Sequence, residues 1–93
     1  ENAEGAAGEI INALVYTLRG DIAVEENDLQ SAAELFTKAL EASDDMYTAE
    51  TATRKVALVY AAMGDAQKAS EAYKALVAKY PELTISYAKY IAE

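Results

Sequence analysis

Cysteine, histidine and tryptophan are all missing from these 93 residues, proline occurs once and glycine four times. Without cysteine there is neither a disulfide framework nor a thiolate metal site, and no redox compartment can be read. Without histidine, Ser31, Ser43, Ser70 and Ser86 have no imidazole to activate them, and none stands in a glycine-flanked elbow. Long apolar runs are missing too. The longest are a few residues, far short of the ~20 that span a bilayer, so membrane insertion is not expected. What is present is 53% hydrophobic residues, much of that alanine. With so few strand and turn punctuators, this is the balance of an all-α protein.

Basic side chains are scarce, 8 against 16 acidic, and the imbalance is local. Residues 1–50 hold 12 acidic and 2 basic side chains, residues 51–93 hold 4 and 6. An acidic excess repels phosphate backbones and anionic lipid, which argues against nucleic-acid and membrane-surface roles. It serves solubility or docks a basic partner. The carboxylate pairs Glu25/Glu26 and Asp44/Asp45 do not make an acid–base dyad, because adjacent helical residues diverge by about 100°. "EASDDMYTAE" lacks the central glycine and alternating oxygen ligands of a calcium loop, and no glycine loop cradles a phosphate. No catalytic, cofactor-binding or metal-binding residue is expected, and the chain is not expected to be an enzyme. Its size allows one small domain. It opens on Glu1 rather than Met, as a processed product or excised fragment would.

Residues 1–8, "ENAEGAAG", carry no apolar periodicity and are expected as a flexible lead-in to a single domain over 9–93. From about Glu9, Ile11, Leu14, Val15, Leu18 and Ile22 recur at three- and four-residue spacing, along one side of a helix running to about Glu26. Asn27 and Asp28 break the pattern and cap a second helix, about Leu29 to Ala42. Its buried side holds Leu29, Ala32, Ala33, Leu35, Phe36, Ala39 and Leu40. Ser43, Asp44 and Asp45 stop it and cap a third, about Met46 to Met63, stepped by Tyr47, Val56, Val59 and Tyr60. Gly64 ends that helix, Asp65 caps a fourth from about Ala66 to Lys79, and Pro81 follows. "ELTISYAKYIAE" is a fifth helical segment. No run alternates apolar and polar residues between hairpin turns, so no strand is expected.

The second and fourth helices repeat one another. "SAAELFTKAL" from Ser31 and "KASEAYKALV" from Lys68 align with Ala32 over Ala69 and Phe36 over Tyr73, an offset of 37 residues. The preceding turns, "END" and "MGD", keep that offset, and such a period signals a helical solenoid. The pattern resembles the tetratricopeptide repeat, nominally 34 residues of two antiparallel helices. In the first unit, about 13–46, Tyr16 matches the early aromatic, Gly20 and Ala32 the small positions of helices A and B, Phe36 the large aromatic and Ala39 the later alanine. In the second, about 50–83, Ala57, Tyr60, Ala69, Tyr73 and Pro81 match. Thr53 departs from the early aromatic, Leu76 from the later alanine, and three extra residues lengthen the connection at Ser43 to Met46. Gly20 is expected to meet Ala32, and Ala57 to meet Ala69, where small residues let helices approach. A last helix, about 83–92, caps the stack. The resemblance implies an antiparallel helix-pair solenoid of about five helices. "AYKALVAKYP" also resembles repeats of bacterial envelope proteins, and bacterial cytoplasm and envelope both stay open as locations.

The function this resemblance implies is protein interaction, with A helices lining a concave groove for a peptide or partner helix of unknown identity. Carried onto this chain, the groove positions are Leu14, Thr17, Asp21 and Val24, then Thr51, Arg54, Leu58 and Ala61, then Ile85, Ala88 and Lys89. The carboxylate clamp of chaperone adaptors is not reproduced, since Thr17 and Asp21 occupy its places. Arg54 and Lys55 form the basic pair on the groove side, either anchoring a carboxylate or salt bridging at the surface. The alternative is homo-oligomerisation through the last helix, where Leu83, Ile85, Tyr87, Tyr90 and Ile91 fall on more than one face. Seven tyrosines suggest base stacking, but Tyr16, Tyr60, Tyr73 and Tyr87 fall on packing positions. The tripeptide Arg19-Gly20-Asp21, an adhesion-receptor ligand when a loop displays it, is expected inside a helix as scaffold.

Overall fold

Five α-helices follow one another in the computed structural model, which describes residues 5–91: α1 (Gly5–Glu25), α2 (Leu29–Ala42), α3 (Met46–Ala62), α4 (Ala66–Lys79) and α5 (Thr84–Ile91). A single 3₁₀ turn, Pro81–Leu83, leads into α5, and no strand occurs among the described residues. The proline explains the break, because it restricts Tyr80 and cannot continue α4. α1 begins at Gly5, ahead of the expected onset near Glu9. Extending a nucleated helix needs no apolar partner, so residues 5–8 join it without periodicity. Residues 1–4 of the expected lead-in lie outside the described residues, as does residue 92 of the expected cap.

The repeat is visible in its turns. Asn27 at φ 61° and Gly64 at φ 84° both take the left-handed conformation that ends a helix. The Asp28 N–H donates to the Ala23 carbonyl and the Asp65 N–H to that of Tyr60, each at 2.8 Å. The two aspartates then accept from free N–H groups of the next helix, Ser31 at 3.2 Å and Lys68 at 3.0 Å. The connection with three extra residues is held differently. Asp45 caps α3 by accepting from the Thr48 N–H at 2.9 Å, and Lys79 reaches back from α4 to Asp44 Oδ1 at 2.6 Å. Tyr80 donates its hydroxyl to the Asp44 carbonyl. Lys79 holds the exposed Asp44 carboxyl below its ordinary range, chiefly through that hydrogen bond.

Each helix packs on its successor and α1 also touches α3, giving an antiparallel helix-pair solenoid 41 × 32 × 14 Å in extent. Small residues make the α1–α2 contact: Ala13, Gly20 and Ala23 are buried on α1, Ala32, Phe36 and Ala39 on α2. The atoms nearest to where a Gly20 Cβ would stand all belong to Phe36, one turn beyond the expected Ala32. In the second pair Ala57, Tyr73, Leu76 and Tyr87 form one buried cluster with Ala69 against it. Thr53 is buried in the early aromatic's place, whereas Tyr47, expected to step the third helix, is 72% exposed.

One helix presents its other side to the core. A large aliphatic stripe at helical spacing ordinarily faces inward, yet Ile11, Leu14, Val15, Leu18 and Ile22 are all 46–62% exposed. The α2 interface selects against them. Helices that approach closely enough to seat Phe36 on Gly20 leave room at the centre of the contact for Ala, Gly and Thr, with Tyr16 packed at its margin.

Candidate functional site: the groove between α1 and α3

α1 and α3 lie side by side over α2 and leave between them an open cavity of about 460 Å³. Its apolar lining comes from Val24 on α1, Leu29 and Phe36 on α2, and Leu58, Val59 and Ala62 on α3, and its charged lining from Asp21, Glu25 and Lys55. Val24 and Leu58 stand 41% and 71% exposed, so two aliphatic side chains are presented without cover. Lys55 Nζ donates to both Asp21 carboxylate oxygens, at 2.8 and 3.0 Å, and thereby ties α3 to α1. The lining therefore carries one more carboxylate than ammonium, and that ammonium is already engaged.

Of the positions carried over from the family pattern, Asp21, Val24 and Leu58 come together here. Thr17 does not. It is buried and donates its hydroxyl to the Ala13 carbonyl of its own helix at 2.8 Å, the bond a mid-helix threonine makes when packing denies it solvent. Leu14 belongs to the exposed stripe, Thr51 is half-buried, and Ala61 is exposed beside the lining residue Ala62. Ile85, Ala88 and Lys89 are exposed on α5, outside the cavity. Glu25, Leu29, Phe36, Val59 and Ala62 also line it. The A-helix pattern omits the floor, which the second helix supplies.

The basic pair is split. Arg54 turns from the cavity, donates to the Tyr87 hydroxyl at 3.1 Å and stands 3.7 Å from Glu50. Tyr87 in turn donates to Glu50 Oε2 at 2.5 Å, so these three groups join α5 to α3. Burial, helped by the Glu50 carboxylate, pushes the Tyr87 phenol up, and burial does the same to Tyr73. The hydrogen bond to Tyr87 keeps Arg54 more firmly protonated than usual. Tyr73 stacks on Tyr87 and Tyr90 at centroid distances of 5.3 and 4.6 Å, which accounts for three of the seven tyrosines as packing. No helix among the described residues is long and apolar enough to cross a membrane.

The family model of the tetratricopeptide repeat matches residues 13–46, the span of α1 from Ala13, α2 and the turn to Met46. Over those residues the chain is similar to a single tetratricopeptide repeat. No curated protein and no solved structure matches it. A tetratricopeptide repeat is a protein-interaction scaffold, and its helix pair here supplies one wall and the floor of the groove, α3 the other wall.

Proposed function

We propose that the domain binds a peptide or partner helix in the α1–α3 groove, without catalysis. The observation that carries this reading is the uncovered pair Val24 and Leu58 above an apolar floor. An aliphatic or aromatic side chain of the partner enters there, and burying one contributes about 1.5–3 kcal/mol before the costs of association. Glu25 at the edge favours a lysine or arginine beside that side chain. Lys55 is neutralised by Asp21 and Arg54 is directed at α5, so a terminal carboxylate finds no free cation in this groove. The apolar surface of α5 is smaller than its sequence implies, since Tyr87 is buried and Leu83 and Ile91 pack against the same cluster. That leaves Ile85 and part of Tyr90 for self-association through the last helix.

The test is an array of short peptides probed with the folded domain and with its Leu58→Glu variant. Peptides carrying one large apolar residue beside Lys or Arg should bind and lose at least tenfold in affinity to the variant. Equal binding by both proteins, or selection of acidic peptides, would refute the reading.

A further inference from the structure

The aliphatic stripe of α1 is a second unsatisfied surface, separate from the groove. At the repeat's 37-residue offset, Ile11, Val15 and Ile22 correspond to Thr48, Ala52 and Val59 of α3. There the positions are 7%, 0% and 4% exposed, with Ala52 packed against Ala39 and Val59 against the Phe36 cluster of α2. On α3, α2 covers Ala52 and Val59. On α1 the same positions carry larger aliphatic side chains, 46–56% exposed, and no described residue covers them. Leu14 and Leu18 widen the stripe along a 21-residue helix, and exposed patches of several hundred Å² mark interaction surfaces.

We infer that the stripe pairs with the same stripe of a second copy, the two α1 helices running antiparallel about a two-fold axis. The stripe is self-complementary in that direction. With Val15 set opposite Leu18 of the other copy, Ile11 falls opposite Ile22, and the aliphatic stem of Arg19 lies over Leu14. The same register brings Glu25 to the partner's first turn, Gly5 to Gly8, where the positive end of the helix dipole attracts a carboxylate. Parallel pairing instead sets Glu25 beside Glu25. Two helices of about 30 Å bury less than the ~800 Å² per copy of a standard stable interface. The dimer is therefore reversible and concentration-dependent, and the acidic excess of residues 1–50 opposes it until salt screens the repulsion.

Sedimentation of the full chain over a wide concentration range tests this, with two variants at exposed positions, Val15→Glu and Leu18→Lys. The unsubstituted chain should rise from one copy's 10.0 kDa toward twice that mass, more readily at higher salt. Each variant alone should remain a monomer with unchanged helical circular dichroism. Mixed one to one they should pair again, because antiparallel register sets the introduced carboxylate against the introduced ammonium. An unsubstituted chain that stays monomeric at every concentration overturns the inference and leaves the stripe to a different protein. A dimer that forms while the mixed variants stay apart overturns the antiparallel register.

Discussion

Gly20 stands so close to the Phe36 ring that a Cβ placed on it would lie 2.5 Å from Cε1 and 2.7 Å from Cδ1. Phe36 is 1% exposed, and its ring would have to shift toward the groove to admit a methyl group. That contact sets the separation of α1 and α2, and with it the placement of both the groove and the stripe.

Gly20→Ala should destabilise the fold by about 1–3 kcal/mol through overpacking, despite the better helix propensity of alanine, and Gly20→Leu by more. Urea denaturation measures both. In a Phe36→Leu background the alanine substitution should cost less, since the two residues share one contact and their effects are not additive. Equal costs in the two backgrounds would show that the ring is not what excludes the methyl group.

Tyr87 makes stability fall in alkali. In the unfolded chain its phenol ionises near 10.0, and in the fold burial and the Glu50 contact raise that value. Between the two the folded chain binds more protons, so the contribution is complete below about pH 10 and lost as pH rises through the folded pKa. Tyr73 acts in the same direction. Denaturation midpoints from pH 7 to 11 should therefore decline at the upper end. Tyr87→Phe should flatten part of that decline while costing about 1 kcal/mol at neutral pH through its lost hydrogen bonds.

Asp21→Asn should change what the groove selects more than it changes stability. The Lys55–Asp21 pair is 35% and 41% exposed, and such pairs contribute roughly 0–1 kcal/mol. Removing the carboxylate releases the ammonium into the lining, so peptides with an acidic residue should gain affinity and basic ones lose it. Unchanged selectivity on the peptide array would mean that the ligand does not reach this end of the groove.

Arg19-Gly20-Asp21 lies within α1. An adhesion receptor takes an extended, protruding tripeptide, which a helix does not offer. Surfaces coated with the folded domain should not support receptor-mediated cell adhesion. Attachment that Asp21→Glu abolishes would contradict the scaffold role of this segment.

The all-α class, the four long helices, their caps at Asp28, Asp45 and Asp65, and the repeat at 37 residues were legible in the sequence, because caps and periodicity are local signals. The direction in which α1 faces was not. Its aliphatic stripe is a stronger signal than the run of Ala13, Thr17, Gly20 and Ala23, yet the close approach to Phe36 demands the latter. The groove was half legible. Asp21, Val24 and Leu58 follow from the repeat pattern, whereas Thr17 is lost to helix contact and Arg54 to Tyr87, partners 4 and 33 residues away that the pattern does not encode. The floor residues Leu29 and Phe36 read as core and are also lining, since the cavity opens onto them.

The most direct measurement of the central proposal is a backbone amide NMR titration of the domain with a peptide selected by the array. Shift changes should concentrate at Asp21, Val24, Glu25, Lys55, Leu58 and Ala62, on the facing sides of α1 and α3. Changes confined to α4 and α5, or to the outer stripe of α1, would contradict the assignment of this groove as the binding surface.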